Sequence, residues 1–151
     1  NQNLWNLAEV NPGQFALPGL EAMDEASFNY HERTGLTAIP YTSQANGFFT
    51  KALREDFAAN PAYDKLKRLY VNERTMARVV TVRKLAETTG WEPTQIALAY
   101  LLCQPIPTIP IIGPTHEAQL LDSLKALDVK LSAQTMEELA SGSQIQKGVE
   151  R

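Results

Sequence analysis

A single cysteine, Cys103, stands in the 151 residues, so no internal disulfide can form and a disulfide-stapled scaffold is excluded. That usage fits a reducing compartment, and a cytoplasmic location is the expectation. No apolar run approaches the roughly 20 residues a helix needs to cross a bilayer, and no signal-peptide pattern opens the sequence, so no membrane partner is expected. Positive charge is not in excess. Lys and Arg number 14 against 17 Asp and Glu, a net charge of −3, whereas a nucleic-acid-binding domain usually carries a clustered basic face. Histidine is scarce too: His31 and His116 lie far apart, and no His/Cys/Asp grouping has metal-ligand spacing. Neither a Walker loop nor a nucleophile elbow occurs. From the residues alone there is no general acid–base set, so neither a catalytic residue nor a metal ligand is assigned.

What is present is the composition of one soluble domain, 44% apolar and 21% charged. The first residue is Asn1, and the apolar Leu4, Trp5 and Leu7 follow at once. Natural N-termini are usually looser and more polar, so the expectation is a piece of something larger. Residues 8–22, with Pro12, Gly13, Pro18 and Gly19, read as a loop. Asp24 can cap a helix from about Glu25 to Thr34 that Gly35 ends. His31 on that helix is expected to face solvent. Residues 36–41 read as a strand and Thr42 to Gly47 as the polar loop leaving it.

Asn60-Pro61 opens a helical region with Asn as cap and Pro in the first turn. Met76, Val79, Val82 and Ala86 recur at helical spacing, so an amphipathic helix runs from about Thr75 to Thr88 and ends at Gly90. Pro93 starts a helix that is apolar on nearly every side, hence buried, with Cys103 a packed core thiol. Thr108 to Ile112 reads as a second strand. Thr115 then caps a helix whose expected core face is Leu120, Leu121, Leu124 and Leu127. Ser132 caps a last helix, and the polar tail from Ser141 is expected to fray. Strands alternating with helices imply an α/β architecture with parallel strands. Two parallel strands cannot close a barrel or stand as a sheet, so the expectation is half of a larger architecture.

The segment Pro110-Ile111-Ile112-Gly113-Pro114-Thr115-His116-Glu117-Ala118-Gln119-Leu120-Leu121-Asp122-Ser123 joins a strand, a tight turn and a helix N-terminus. Free N–H groups at such a terminus attract anions, phosphates above all. In parallel α/β folds ligands gather at the C-terminal ends of the strands. Tyr41 closes one strand and Gly113 the other. Tyr41 offers a flat face, Thr42 to Gln44 offer donors, and Gly113 permits close backbone approach. The plain alternatives are a core-edge aromatic for Tyr41 and an ordinary turn glycine for Gly113.

Taken in order and spacing, several blocks resemble the aldo-keto reductase family. They are Asn1-Gln2 with Trp5-Asn6-Leu7-Ala8, residues 31–49 from His31-Glu32-Arg33 to Gly47-Phe48-Phe49, residues 93–102, and Ile111-Ile112-Gly113-Pro114-Thr115 with Gln119 and Asp122-Ser123. The chain is similar to the C-terminal half of a member from the branch related to bacterial oxidoreductases and potassium-channel β-subunits. That resemblance implies a (β/α)8 TIM barrel, with residues 1–151 supplying the end of strand six onward. It implies NADP(H) as cofactor, with NAD(H) as the alternative, and reduction of a small-molecule aldehyde or ketone.

Residue by residue, the resemblance places Gln2 on the nicotinamide carboxamide and Tyr41 against the nicotinamide ring. It places Thr42, Ser43 and Gln44 over the pyrophosphate, and Gly113, Pro114 and Thr115 around the adenosine 2′-phosphate. Gln119 falls where arginine is frequent, and Asp122 and Ser123 fall on a pair often Glu-Asn that contacts adenine. Losing the arginine removes a charge-assisted bond to the 2′-phosphate. The family's catalytic Asp, Tyr, Lys and His belong to the N-terminal half and match no position here. Three readings follow: the cofactor-binding half of a reductase that needs the N-terminal half as partner, a cofactor-sensing regulatory subunit, or an inactive folded fragment with exposed strand edges.

Overall fold

The computed structural model describes residues 1–14 and 19–142. The expectation of a fraying tail therefore falls, beyond Gly142, outside the described residues. Four short extended segments lie side by side in the order 21–23, 1–4, 37–41 and 107–111. The pairings Leu4 with Ala22, Leu4 with Tyr41 and Ala38 with Thr108 are all parallel. On one side of 37–41, the Ile39 and Tyr41 N–H groups donate to Asn1 O and Asn3 O, at 2.8 and 3.1 Å. On its other side, Ala38 N–H donates to Pro107 O, and Ile109 and Ile111 N–H donate to Ala38 O and Pro40 O.

The parallel arrangement matches the α/β reading, but the expected strands 36–41 and 108–112 pair through isolated bridges rather than continuous ladders. Pro40 explains much of this. It stands where the next N–H toward the 107–111 segment would come from, and proline has none to give. The end of the expected 8–22 loop also differs, since Leu4 exchanges bonds with Glu21 O and Met23 N, both at 2.9 Å.

The helices follow from their caps. Helix α1 (Glu25–Thr34) begins at Asp24, whose Oδ1 accepts from Ser27 N–H at 2.8 Å, and ends at Gly35. Its His31 is buried, contrary to expectation. The last turn of α1 lies against the following segment, where Nδ1 sits 2.6 Å from Leu36 O and Nε2 3.4 Å from Asn1 Nδ2. An imidazole whose nitrogens both have neighbours can leave water at little cost.

A short helix α2 (Phe48–Ala52) follows the polar loop, and Asn60 caps a single tight turn leading into α3 (Asp64–Tyr70). Helix α4 (Glu73–Thr89) buries Val79 and Val82 as its periodicity predicts, and α5 (Pro93–Leu102) buries Ile96 through Ala99 and Leu101. Phe48 is the centre of the core, with the rings of Phe49, Phe57 and Tyr70 at 5.5, 5.8 and 5.5 Å. Cys103 is only half-buried, because it sits at the C-terminal cap of α5 rather than within it.

Helix α6 (Glu117–Leu124) and the turn after it reverse the expectation. Leu120, Leu121, Leu124 and Leu127 are exposed (39%, 54%, 45% and 56%), while Ser123 and Ala126 are buried. Periodicity identified the apolar face correctly; the opposite face packs on the described part of the molecule. Helix α7 (Ala133–Ser141) starts at Ser132, as expected, and its Ala140 carbonyl accepts from both Arg74 and Arg78. Among the described residues no helix is long and apolar enough to cross a membrane.

Candidate functional site

The loop after the 37–41 segment is built by its backbone. Thr42, Ala45 and Asn46 all take left-handed conformations (φ 55°, 48° and 54°), which cost non-glycine residues of order 1 kcal/mol or more each. Neighbours hold them there. Thr42 O accepts from Ala45 N–H (2.8 Å) and from Nδ2 of buried Asn6 (3.2 Å). As the chain turns away at Thr42, the buried Ser43 hydroxyl donates to Ile111 O at 2.5 Å, tying this loop to the end of the 107–111 segment. Gln44 Nε2 donates to Ser123 Oγ (2.9 Å), and Ser123 Oγ donates to Gln119 O (2.8 Å).

The head of α6 is closed by its own side chains. His116, not Thr115, is the N-cap, its Nδ1 accepting from Gln119 N–H at 3.3 Å. Thr115 donates twice to Gln119 Oε1, from its N–H (2.8 Å) and its hydroxyl (3.0 Å). Gly113 has no conformational need to be glycine. Its φ is not left-handed, and a Cβ there would meet nothing within 4 Å.

These two loops enclose one cleft of about 800 Å³, lined by Thr42, Ser43, Gln44, Gly113, Pro114, Thr115, Gln119, Asp122 and Ser123. Gln2 and Tyr41 are not part of that lining. Gln2 is exposed on the 1–4 segment, and half-buried Tyr41 lies beside it through the bond from Tyr41 N–H to Asn3 O. Burial, and then the nearby Glu21 carboxylate, push the Tyr41 phenol above its ordinary pKa, so it stays neutral in the physiological range.

The cleft also contains residues that the sequence pattern did not single out as ligand contacts: Asn46, Thr50, Lys51 and Thr94. Lys51 donates to Asn46 O at 2.7 Å, and the Thr50 and Thr94 hydroxyls share a 2.8 Å bond. The available signal was a cation one helical turn beyond Gly47. Lys51, with the N–H and hydroxyl donors around it, suits an anionic ligand. Among the described residues no group of three His, Cys, Asp or Glu could hold a metal ion.

The structure thus places a donor-rich cleft at the ends of parallel segments, the position where α/β folds commonly gather ligands. The model of the aldo/keto reductase family matches residues 14–143, and the chain belongs to that family. It is 31% identical over 112 residues to the aldo-keto reductase yakc [NADP(+)] of Schizosaccharomyces pombe, covering 69% of this chain and 32% of that protein. It is 29% identical over 103 residues to the uncharacterized oxidoreductase YrpG of Bacillus subtilis, covering 68% and 30%. The chain thus spans about a third of the length of these curated relatives. The fold is similar to that of the thermostable aldo-keto reductase Tm1743, solved with the inhibitor epalrestat. The TM-score is 0.55 at 22% identity, over 94% of this chain and 39% of that one. That neighbour's fold is the (β/α)8 barrel of the family.

Proposed function

We propose that residues 1–151 are the C-terminal, cofactor-binding half of an NADP(H)-dependent aldo-keto reductase that reduces small-molecule aldehydes or ketones to alcohols. When bound, NADP(H) supplies the hydride that reaches the carbonyl carbon. The observation that carries this reading is the single cleft of about 800 Å³ that gathers Thr42 to Gln44 with Gly113 to Thr115, Gln119, Asp122 and Ser123. The residues fit the group chemically. The open approach above Gly113 admits a phosphate, Lys51 and the loop donors answer negative charge, and Asp122 offers an acceptor to a base.

In this reading Tyr41 stacks on the nicotinamide ring and Gln2 binds its carboxamide. Thr42, Ser43 and Gln44 lie over the pyrophosphate, and Gly113, Pro114 and Thr115 hold the 2′-phosphate with Gln119. Asp122 and Ser123 meet adenine. The proton for the carbonyl oxygen must come from a general acid, and the family resemblance assigns that role to no residue of this chain. The N-terminal half of the barrel supplies it, and the chain alone is inactive. The exposed leucine face of α6 is the surface that half would cover, since an apolar stripe of this size is normally buried in a partner. The family match and the NADP(+) in the yeast relative's name support the cofactor assignment.

Titration of the intact protein with NADPH and NADH, followed by nicotinamide fluorescence, tests the reading. Micromolar or tighter binding of NADPH is expected, with carbonyl-dependent oxidation of NADPH in the same preparation. Absence of binding by either dinucleotide would overturn it.

A further inference from the structure

Gln95 is a buried polar residue in the first turn of an otherwise apolar helix, 5% exposed between Thr94 and Ile96. Both ends of its amide are engaged. Oε1 accepts from Glu92 N–H at 3.2 Å as half of a capping box. Nε2 donates to Asp122 Oδ1 at 2.6 Å, across from α5 to α6. Lys125 Nζ approaches the same oxygen at 3.7 Å. Asp122 Oδ2 has no bond within the described residues, and the side chain, 35% exposed, stands between the cleft and a smaller hollow lined by Gln95 and Lys125.

We propose that Gln95 is a positioning residue for Asp122, clamping Oδ1 so that Oδ2 is presented to the cleft as a fixed acceptor for the amino group of a purine. The proposal rests on the cofactor reading above and deepens it. An ionised carboxylate only accepts. Held in one orientation, it favours an exocyclic amino group and opposes a ring carbonyl at the same place, so it selects adenine over hypoxanthine. An aspartate reaches less far than a glutamate, and its rotation about Cβ–Cγ is otherwise free. The donor from Gln95 removes that freedom.

The test uses the intact protein with three probes: NADPH, its hypoxanthine analogue, and reduced nicotinamide mononucleotide, which has no base beyond the nicotinamide. Gln95→Met is expected to weaken NADPH binding about tenfold, to narrow the preference for NADPH over the hypoxanthine analogue, and to leave the mononucleotide unchanged. The double variant Gln95→Met, Asp122→Ala should bind NADPH no more weakly than Asp122→Ala alone, because a clamp with nothing to hold has no effect. Gln95→Glu keeps the capping acceptor and sets a carboxylate against Asp122, so it should lose NADPH affinity with the same selectivity even if Gln95→Met does not fold. Equal losses for NADPH and the mononucleotide, or additive losses in the double variant, would overturn the proposal and leave the cofactor reading standing. A wild-type protein that binds none of the probes would overturn both.

Discussion

Gln119 and Thr115 form a closed pair at the head of α6, with both Thr115 donors spent on one oxygen, Gln119 Oε1, at 2.8 and 3.0 Å. A ligand phosphate bound at this turn, as proposed, would compete with that oxygen for the same two donors. The pair therefore bears on how much a 2′-phosphate adds to binding.

Replacing Gln119 with arginine removes the competing acceptor and adds a cation. Gln119→Arg is expected to raise the preference for NADPH over NADH by about tenfold or more, since a charged hydrogen bond is worth roughly 1.5–3 kcal/mol. Equilibrium titration with both dinucleotides measures it. An unchanged ratio would remove the 2′-phosphate from this turn.

Two glycines should separate binding from folding. At Gly113 an added Cβ meets nothing within 4 Å, so Gly113→Ala should leave stability within about 0.5 kcal/mol while weakening dinucleotide binding. At Gly142 φ is +71° and the Cβ would stand 2.8 Å from Arg74 O, so Gly142→Ala should destabilise by about 1–3 kcal/mol. Urea unfolding and ligand titration of both variants give the comparison. Loss of stability in Gly113→Ala would return that residue to an ordinary structural glycine.

His31 is buried with its Nδ1 2.6 Å from Leu36 O. His31→Leu removes that neighbour and leaves a carbonyl without it, a loss of about 1–3 kcal/mol. The urea midpoint should fall accordingly. No change would place His31 at the surface after all.

Asp24 carries a pH-dependent cap. Its hydrogen bonds to Ser27, side chain first and backbone second, hold its carboxyl below the ordinary carboxylate pKa. A depressed folded-state pKa contributes stability above the unfolded value, near 3.9, and that contribution fades as pH falls through the folded value. The start of α1 should therefore loosen on acidification below about pH 4. Amide exchange at Ser27 as a function of pH should show it, and Asp24→Asn should flatten that part of the profile.

Much of this was legible in the sequence because capping is local. Asp24, Asn60 and Ser132 cap where their side chains and the following turns required, and Val79 and Val82 are buried as helical spacing demanded. The parallel direction of the extended segments also followed from alternation of strand-like and helical stretches. Thr115 failed as a cap because a competing acceptor, His116, lies one residue on, and pattern alone does not rank two neighbours.

The sequence by itself determined which residues share a helix face, where most helices begin, and which family the blocks resemble. Only the tertiary structure decided which face is covered. The leucines of α6 are exposed and Ser123 is buried because packing depends on what stands opposite a helix, which periodicity does not encode. It also decided that His31 lies inside, that Lys51 lines the cleft, and that Gln95 reaches Asp122. Each depends on contacts between segments distant in the chain, set by the fold and not by local spacing.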